Sequence, residues 1–270
     1  MTHSSYMLAV AVSPDGTRIA SGGGDAVFIS DATDGQLIFG PMKGHRSWLN
    51  WLCFSPDGKR LASGSDDRTV IVWDVTTGVM LPPSPIEAHF AQVRSVSFSP
   101  DGQKIMTASN DNTIQIWDAG TSTPFQLDVP ITRHENGITC ALWTGNQIIS
   151  CSTDAKIGFW ESSTGEQIGD FSKGHTAAIW SIGIAPCGKY LASASFDGTV
   201  RLWDTTTHEQ IGPSLPHGDE VYCVAFSPDG KFIISGGHDS GNVYLWDVGN
   251  IIQSYYPSAK DFPWFPSVAN

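Results

Sequence analysis

Basic side chains are scarce in this chain. Lys and Arg number 15 against 27 Asp and Glu, a formal net charge of -12, which opposes the phosphate neutralisation that nucleic acids and anionic membranes demand of a partner. No nucleic-acid or membrane partner is expected. Every apolar run falls short of the roughly 18 residues of a membrane-spanning helix. No basic-plus-apolar leader precedes the first periodic segment, and no N-x-S/T acceptor occurs. The five cysteines are an odd number without a C-x-x-C pair. Cys53, Cys140 and Cys223 lie in apolar runs, where a free thiol behaves as a small hydrophobe. This reads as a reducing compartment: the cytoplasm is expected, with the nucleus left open. Phosphate-binding loops and dinucleotide fingerprints are missing as well. The histidines that recur with the period stand about forty residues apart, without the close cysteine pair of a zinc site. No metal and no cofactor are expected.

What the chain does have is glycine and aromatic residues. With 28 Gly, 10 Trp and 13 Phe against 16% charged residues, the balance favours turns and strands over long helices. It also has a period. Trp73, Trp117, Trp160, Trp203 and Trp246 follow one another by 43 or 44 residues, and Ser30 holds the same column 43 residues before Trp73. Repeats begin near His3, His45, His89, His134, His175 and His217. Eleven residues after five of these comes the proline of SPDG or APCG; after His134 that turn is replaced by Thr144 to Asn146. Between histidine and turn runs an alternating stretch such as VRSVSF or VYCVAF, the period-two pattern of a half-buried strand. A second strand (KRLASGS, KYLASAS) follows the turn, then a third (TVIVWD, TVRLWD), then a looser fourth run such as EQIGPSL. We call these strands a to d.

A period of this length, a histidine at its start and a terminal WD resemble the WD-repeat family over residues 3 to about 248. That resemblance implies an all-β propeller of six four-stranded antiparallel blades. Regular repeats of the SGSDDRTVIVWD kind also resemble those of fungal nucleotide-binding receptor-like WD-repeat proteins, where such arrays act as recognition domains. The chain departs from the family pattern at Ser30 and Glu161, at the turn of the fourth repeat, and before four of the six histidines, where glycine is missing. The expected organisation is a six-bladed domain over 1–256 and an aromatic, proline-containing tail over 257–270.

One constellation looks catalytic. In every repeat a serine or threonine precedes an aspartate by four residues: Ser21/Asp25, Ser63/Asp67, Thr107/Asp111, Ser150/Asp154, Ser193/Asp197 and Ser235/Asp239. Antiparallel strands reverse at each turn, so the histidine loop and the b-to-c turn share one rim. A nucleophilic triad such as Ser193, His175 and Asp197 would need an exposed hydroxyl and oxyanion donors. A catalytic site is needed once, whereas a device that staples a blade is needed in each. Within the family these residues and the strand-c tryptophan form a buried hydrogen-bond chain, so no catalytic residue and no enzyme are expected.

Function is then sought where the repeat leaves the residue type free. Five residues after each histidine stand Leu8, Asn50, Arg94, Thr139, Trp180 and Tyr222. Three residues after it stand Tyr6, Trp48, Gln92, Gly137, Ala178 and Glu220. Before the repeated aspartate stand Gly24, Asp66, Asn110, Thr153, Phe196 and His238. In the family this rim around the central opening binds peptides or protein surfaces. Aromatic and arginine side chains dominate binding hot spots. The partner-binding candidates are Trp48, Asn50, Asp66, Arg94, Trp180, Phe196, Glu220, Tyr222 and His238. Glu220, Asp219 and Asp66 make a basic or amphipathic segment the first partner to try. The expected function is a non-catalytic protein-interaction scaffold and a monomer. The alternative is an assembly element that pairs with another chain through incompletely closed blades. IIQSYY is expected to supply the last blade's fourth strand. Phe262, Trp264 and Phe265 beyond it suit either a packed cap or a docking strip.

Overall fold

The computed structural model describes residues 7–125, 127, 130–237 and 241–255. Its strands form six antiparallel sheets, each made by one repeat. The first holds β1 (Ala9–Val12), β2 (Arg18–Gly23), β3 (Ala26–Asp31) and β4 (Leu37–Lys43) in chain order. The second holds β5 (Leu49–Phe54), β6 (Arg60–Ser65), β7 (Thr69–Asp74) and β8 (Ile86–Glu87). The third has three strands, β9 (Val93–Phe98), β10 (Lys104–Ser109) and β11 (Ile114–Asp118), as does the fourth, β12 (Ile138–Thr144), β13 (Gln147–Ser152) and β14 (Ile157–Glu161). The fifth has four again: β15 (Ile179–Ile184), β16 (Tyr190–Ser195), β17 (Thr199–Asp204) and β18 (Gln210–Pro216). The sixth is β19 (Val221–Phe226), β20 (Phe232–Gly237) and β21 (Val243–Asp247).

The expected fourth strand is therefore present in three sheets, though in the second it is two residues long with a separate bridge from Trp73 to Met80. In the third and fourth it shrinks to isolated bridges, Ile114 to Ile131 and Trp117 to Pro124, then Ile157 to Ser172 and Trp160 to Gln167. In the sixth it is not a strand. Val248–Tyr255, containing most of IIQSYY, is a helix, α1. Val248, Ile251, Ile252 and Tyr255 recur at helical spacing, and the Asp247 carboxylate accepts the Asn250 amide at 2.9 Å, capping the first turn. Val248 and Ile252 are buried in a core cluster with Ile211 and Leu215, so α1 lies on β18. The tail from residue 256 lies outside the described residues.

The turns follow from the sequence atom by atom. In the a-to-b turn the hydroxyls of Ser13, Ser55, Ser99 and Ser227 donate to Asp15, Asp57, Asp101 and Asp229 at 2.5–2.6 Å. The same carboxylate oxygens accept the amides of Thr17, Lys59, Gln103 and Lys231. The following glycine is left-handed, with φ +68° at Gly58 and +72° at Gly16, a region costly to residues with a Cβ. In the fifth repeat Cys187 replaces the aspartate, and its sulfur receives the Lys189 amide at 3.4 Å. After strand c, the aspartate of WD accepts two backbone amides, as Asp74 does from Thr76 at 2.8 Å and Thr77 at 2.9 Å. In the first repeat the residue missing between Asp25 and Ser30 is lost from the turn: β3 keeps six residues, and only Gly24 and Asp25 separate it from β2.

The described contacts group into two compact units, one of Met1–Ile148 with Trp160–Gln167, the other of Ile149–Phe159 with Ile168–Asn270. Within the first, Ala20, Val27 and Ile29 pack with Leu49, Leu52 and Phe54. Ala62, Val70 and Val72 pack in the same way with Val93, Val96 and Phe98. Within the second, Ala192, Ala194, Val200 and Leu202 pack with Val221 and Val224. Each time, one sheet's b and c strands lie against strand a of the next. Arg60 ties two repeats further, donating to the carbonyls of Ala119 at 2.9 Å and Gly102 at 2.7 Å.

All five cysteines are free; Cys140 and Cys151 are buried. Cys223 is a correction, because it is exposed. No helix among the described residues is long and apolar enough to cross a membrane.

Candidate functional site

The repeated His, Ser/Thr, Asp and Trp converge as the repeat predicts. In the fifth sheet the Trp203 indole donates to Ser193 Oγ at 2.8 Å, and Ser193 Oγ lies 2.7 Å from His175 Nε2. His175 Nδ1 lies 2.7 Å from Asp197 Oδ2. The chain closes consistently with the hydroxyl proton directed to Nε2 and the Nδ1 proton to the carboxylate. The second sheet repeats it with Trp73, Ser63, His45 and Asp67 at 2.8, 2.8 and 3.0 Å. The third uses Trp117, Thr107, His89 and Asp111 at 3.1, 2.7 and 3.0 Å. A further member went unread in the sequence: Thr69 and Thr199, which open strand c, and Thr113, which immediately precedes it, each donate to the aspartate at 2.6 Å. Their signal was the recurring D-x-T.

Ser63, Thr107 and Ser193 are wholly buried and engaged on both sides, so none of them meets a substrate as a nucleophile. Burial opposes ionisation of Asp67 and Asp111, but hydrogen bonds from the histidine, the threonine and a backbone amide hold both far below the usual carboxylate range. The same balance lowers Asp197. Burial pushes His175 down toward its neutral form, against the pull of Asp197.

The terminal repeats depart from this pattern. Asp25 is exposed and pairs with Lys43 at 3.6 Å, and His3 lies outside the described residues. In the sixth sheet Trp246 still donates to Ser235 at 2.9 Å. Neither ring nitrogen of His217 has a hydrogen-bond partner among the described residues, and its ring lies 4.3 Å from that of Tyr244. Asp239 is outside the described residues. In the fourth repeat the His134 and Trp160 rings meet edge-on at 6.0 Å.

The three variable columns do share a rim. The residue before the repeated aspartate donates its amide to the histidine loop: Asp66 to Trp48 O at 2.8 Å, Asn110 to Gln92 O at 3.1 Å and Phe196 to Ala178 O at 2.9 Å. In the second unit Trp180, Phe196 and Tyr222 form one aromatic cluster. Trp180 stacks on Phe196 with centroids 5.0 Å apart and planes 16° apart; Tyr222 meets Trp180 at 5.6 Å and Phe196 at 4.7 Å. All three are half-buried, and Glu220 beside them is exposed.

The first unit's candidates behave differently. Asn50 donates to Asp66 at 2.7 Å and to Val93 O at 3.0 Å, and Arg94 lies 3.8 Å from Asp66. These three largely occupy one another, while Trp48 is exposed. His238 lies outside the described residues. A rim residue that the column search missed is Phe90, which follows His89 and is 90% exposed. Its column (Arg46, Phe90, Glu135, Thr176, Gly218) varies as much as those inspected.

The family model for the WD domain, G-beta repeat, matches residues 1–28, 36–74, 82–118, 165–204 and 212–247, more than half of the chain. It leaves out the fourth repeat, whose sheet the structure nonetheless contains. Over 117 residues, 42% of its length, the chain is 27% identical to the WD repeat, SAM and U-box domain-containing protein 1 of Danio rerio, spanning 24% of that protein. Over 50 residues, 18% of its length, it is 40% identical to Telomerase protein component 1 of Mus musculus, spanning 2% of it. The chain thus covers a minor part of either relative. WD-repeat proteins are generally non-catalytic interaction scaffolds, and by its repeated sheets, its clamps and the family match this chain belongs to the WD-repeat β-propeller family.

Proposed function

We propose that this protein is a non-catalytic scaffold that captures a protein segment on the rim carrying its variable columns. The observation that carries this reading is the Trp180, Phe196 and Tyr222 cluster. Its three rings come from positions the repeat does not constrain, in two consecutive repeats, and they remain half-exposed. A structural need would have fixed such positions in every repeat; here the other repeats place Leu8, Asn50, Arg94 or Thr139 in the column of Trp180 and Tyr222. Rigid aromatic faces bury much area at low entropic cost, which makes them binding anchors. Exposed Glu220 and half-buried Asp219 beside the cluster favour a basic, amphipathic segment, met in the cytoplasm.

Binding of a panel of basic amphipathic peptides to the wild-type chain and to Trp180→Ala and Tyr222→Ala variants tests this. Each substitution is expected to weaken the best binder about tenfold or more, with circular dichroism unchanged. Binding that is unaffected by both would remove the rim reading.

A further inference from the structure

The fifth repeat places a charge where the others place none. Two residues before the tryptophan column, strand c carries Phe28, Ile71, Gln115, Gly158, Arg201 and Tyr244. In the second repeat this spot is apolar: a Cβ built on Gly44 would lie 2.8 Å from Ile71, 2.7 Å from Met80 and 3.2 Å from the Trp73 ring. A Cβ on Gly174 would meet the matching set in the fifth, with Arg201 Nη1 at 2.8 Å, the Trp203 ring at 3.0 Å and Gln210 Oε1 at 3.2 Å. Arginine and glutamine have replaced isoleucine and methionine. Arg201 donates from Nη1 to Gln210 Oε1 at 2.6 Å, and Gln210 is held in turn by donating from Nε2 to Gly212 O at 2.8 Å. Among the described residues the guanidinium makes no other hydrogen bond; its Nε is buried without a partner, and no carboxylate pairs with it. Its charge is felt at the clamp instead, where burial chiefly, and Arg201 in addition, oppose protonation of His175.

Taking a guanidinium partly out of water without a counter-charge is costly, and an apolar side chain of similar volume in its place is often neutral or stabilising. Packing alone therefore does not account for Arg201, since Ile71 and Met80 fill the same spot without a charge. We propose that Arg201 is an anion-binding residue beside the histidine loop of the fifth repeat, and that its ligand is a carboxylate, an Asp or Glu side chain of a partner protein. Nη2 and the second hydrogen of Nη1 lie on one edge of the guanidinium, and two parallel N–H groups fit the two oxygens of one carboxylate. Exposed Lys173, which precedes Gly174, adds a second positive charge to the same loop. A phosphate dianion is the poorer match, because exposed Asp170 and Glu209 lie on the two segments that carry the site and the whole chain bears a charge of -12. The site goes beyond the rim reading, for its ligand has the charge opposite to that of the rim's.

Nuclear magnetic resonance on the full, isotope-labelled chain tests this, following the Arg201 Nε–H and Gly174 amide signals as acetate is added at constant ionic strength, with chloride and inorganic phosphate as separate arms. Acetate is expected to move both signals along one saturating curve, and chloride to move neither. Arg201→Met and Arg201→Lys are expected to remove the saturating part of the Gly174 response with circular dichroism unchanged, the lysine because it keeps the charge and loses the fork. Trp180→Ala is expected to keep the response, which separates this site from the rim. A second measurement needs no ligand. Arg201→Met restores the apolar chemistry of the second repeat, so its melting temperature is expected to equal or exceed that of the wild-type chain. A marked drop in melting temperature would make Arg201 a structural residue and overturn the proposal. An acetate response no different from that to chloride, or one that survives in Arg201→Met, would overturn it too, and a phosphate response stronger than that to acetate would overturn the assignment to a carboxylate.

Discussion

At the scale of single residues, the serine, histidine and aspartate that resemble a triad are a lock. Ser193 accepts from Trp203 and engages His175, which binds Asp197, so each buried polar group is matched and removing one strands its neighbour. Trp203→Ala is expected to lower stability by roughly 3 to 5 kcal/mol, chiefly through the cavity, with the indole's hydrogen bond to Ser193 lost as well. Asp197→Ala is expected to cost about 1 to 3 kcal/mol near neutral pH, read by denaturant unfolding. The pH dependence gives the sign. Asp197 has a lowered folded-state pKa, so its contribution is present above the unfolded value of about 3.9 and is lost as pH falls through the folded value. The gap between wild type and Asp197→Ala should therefore narrow below about pH 4. His175 is lowered too; the unfolded chain takes up its proton first, so wild-type stability should already begin to fall below about pH 6.5. A constant gap down to pH 2, or unchanged melting of Trp203→Ala, would contradict the lock.

At the scale of elements, strands a, b and c were legible because alternation, the turn residues and the period all agree on them. The fourth run was not. Its sequence is looser because only part of it pairs with strand c, as at Trp117 to Pro124 and Ile114 to Ile131, so little in the residues distinguishes a strand from bridges. The last repeat misled for another reason. IIQSYY read alone suits a strand, but Val248 extends it into a helical stripe, and the Asp247 cap starts a helix where other repeats start a turn. The rim columns were legible as variable, since self-comparison reveals variation. That Trp180, Phe196 and Tyr222 would cluster, while Asn50, Asp66 and Arg94 would bind one another, depends on side-chain directions that spacing does not encode. The helix carries its own prediction. Ile252 is buried in the core cluster beside β18, so Ile252→Ala should lower stability by about 2 to 5 kcal/mol. Were α1 a loosely attached extension, stability would be unchanged.

At the scale of the whole chain, six near-copies of one unit are unequal in what holds them. In a repeat array stability is close to a sum of each repeat's own strength and its contacts with neighbours. The second, third and fifth repeats have complete clamps and sheet faces covered by neighbouring strands. The first lacks the tryptophan, and its Asp25 is turned to solvent; the sixth leaves Val243 and Leu245 bare. Local opening draws on such differences, since segments with few buried contacts open at lower free energy than the global transition. Amide hydrogen exchange on the dilute chain should therefore protect β6, β10 and β16 most, and release β1 and β21 first. Protection that is uniform across the six sheets when dilute would mean that the clamps and covered faces do not set local stability.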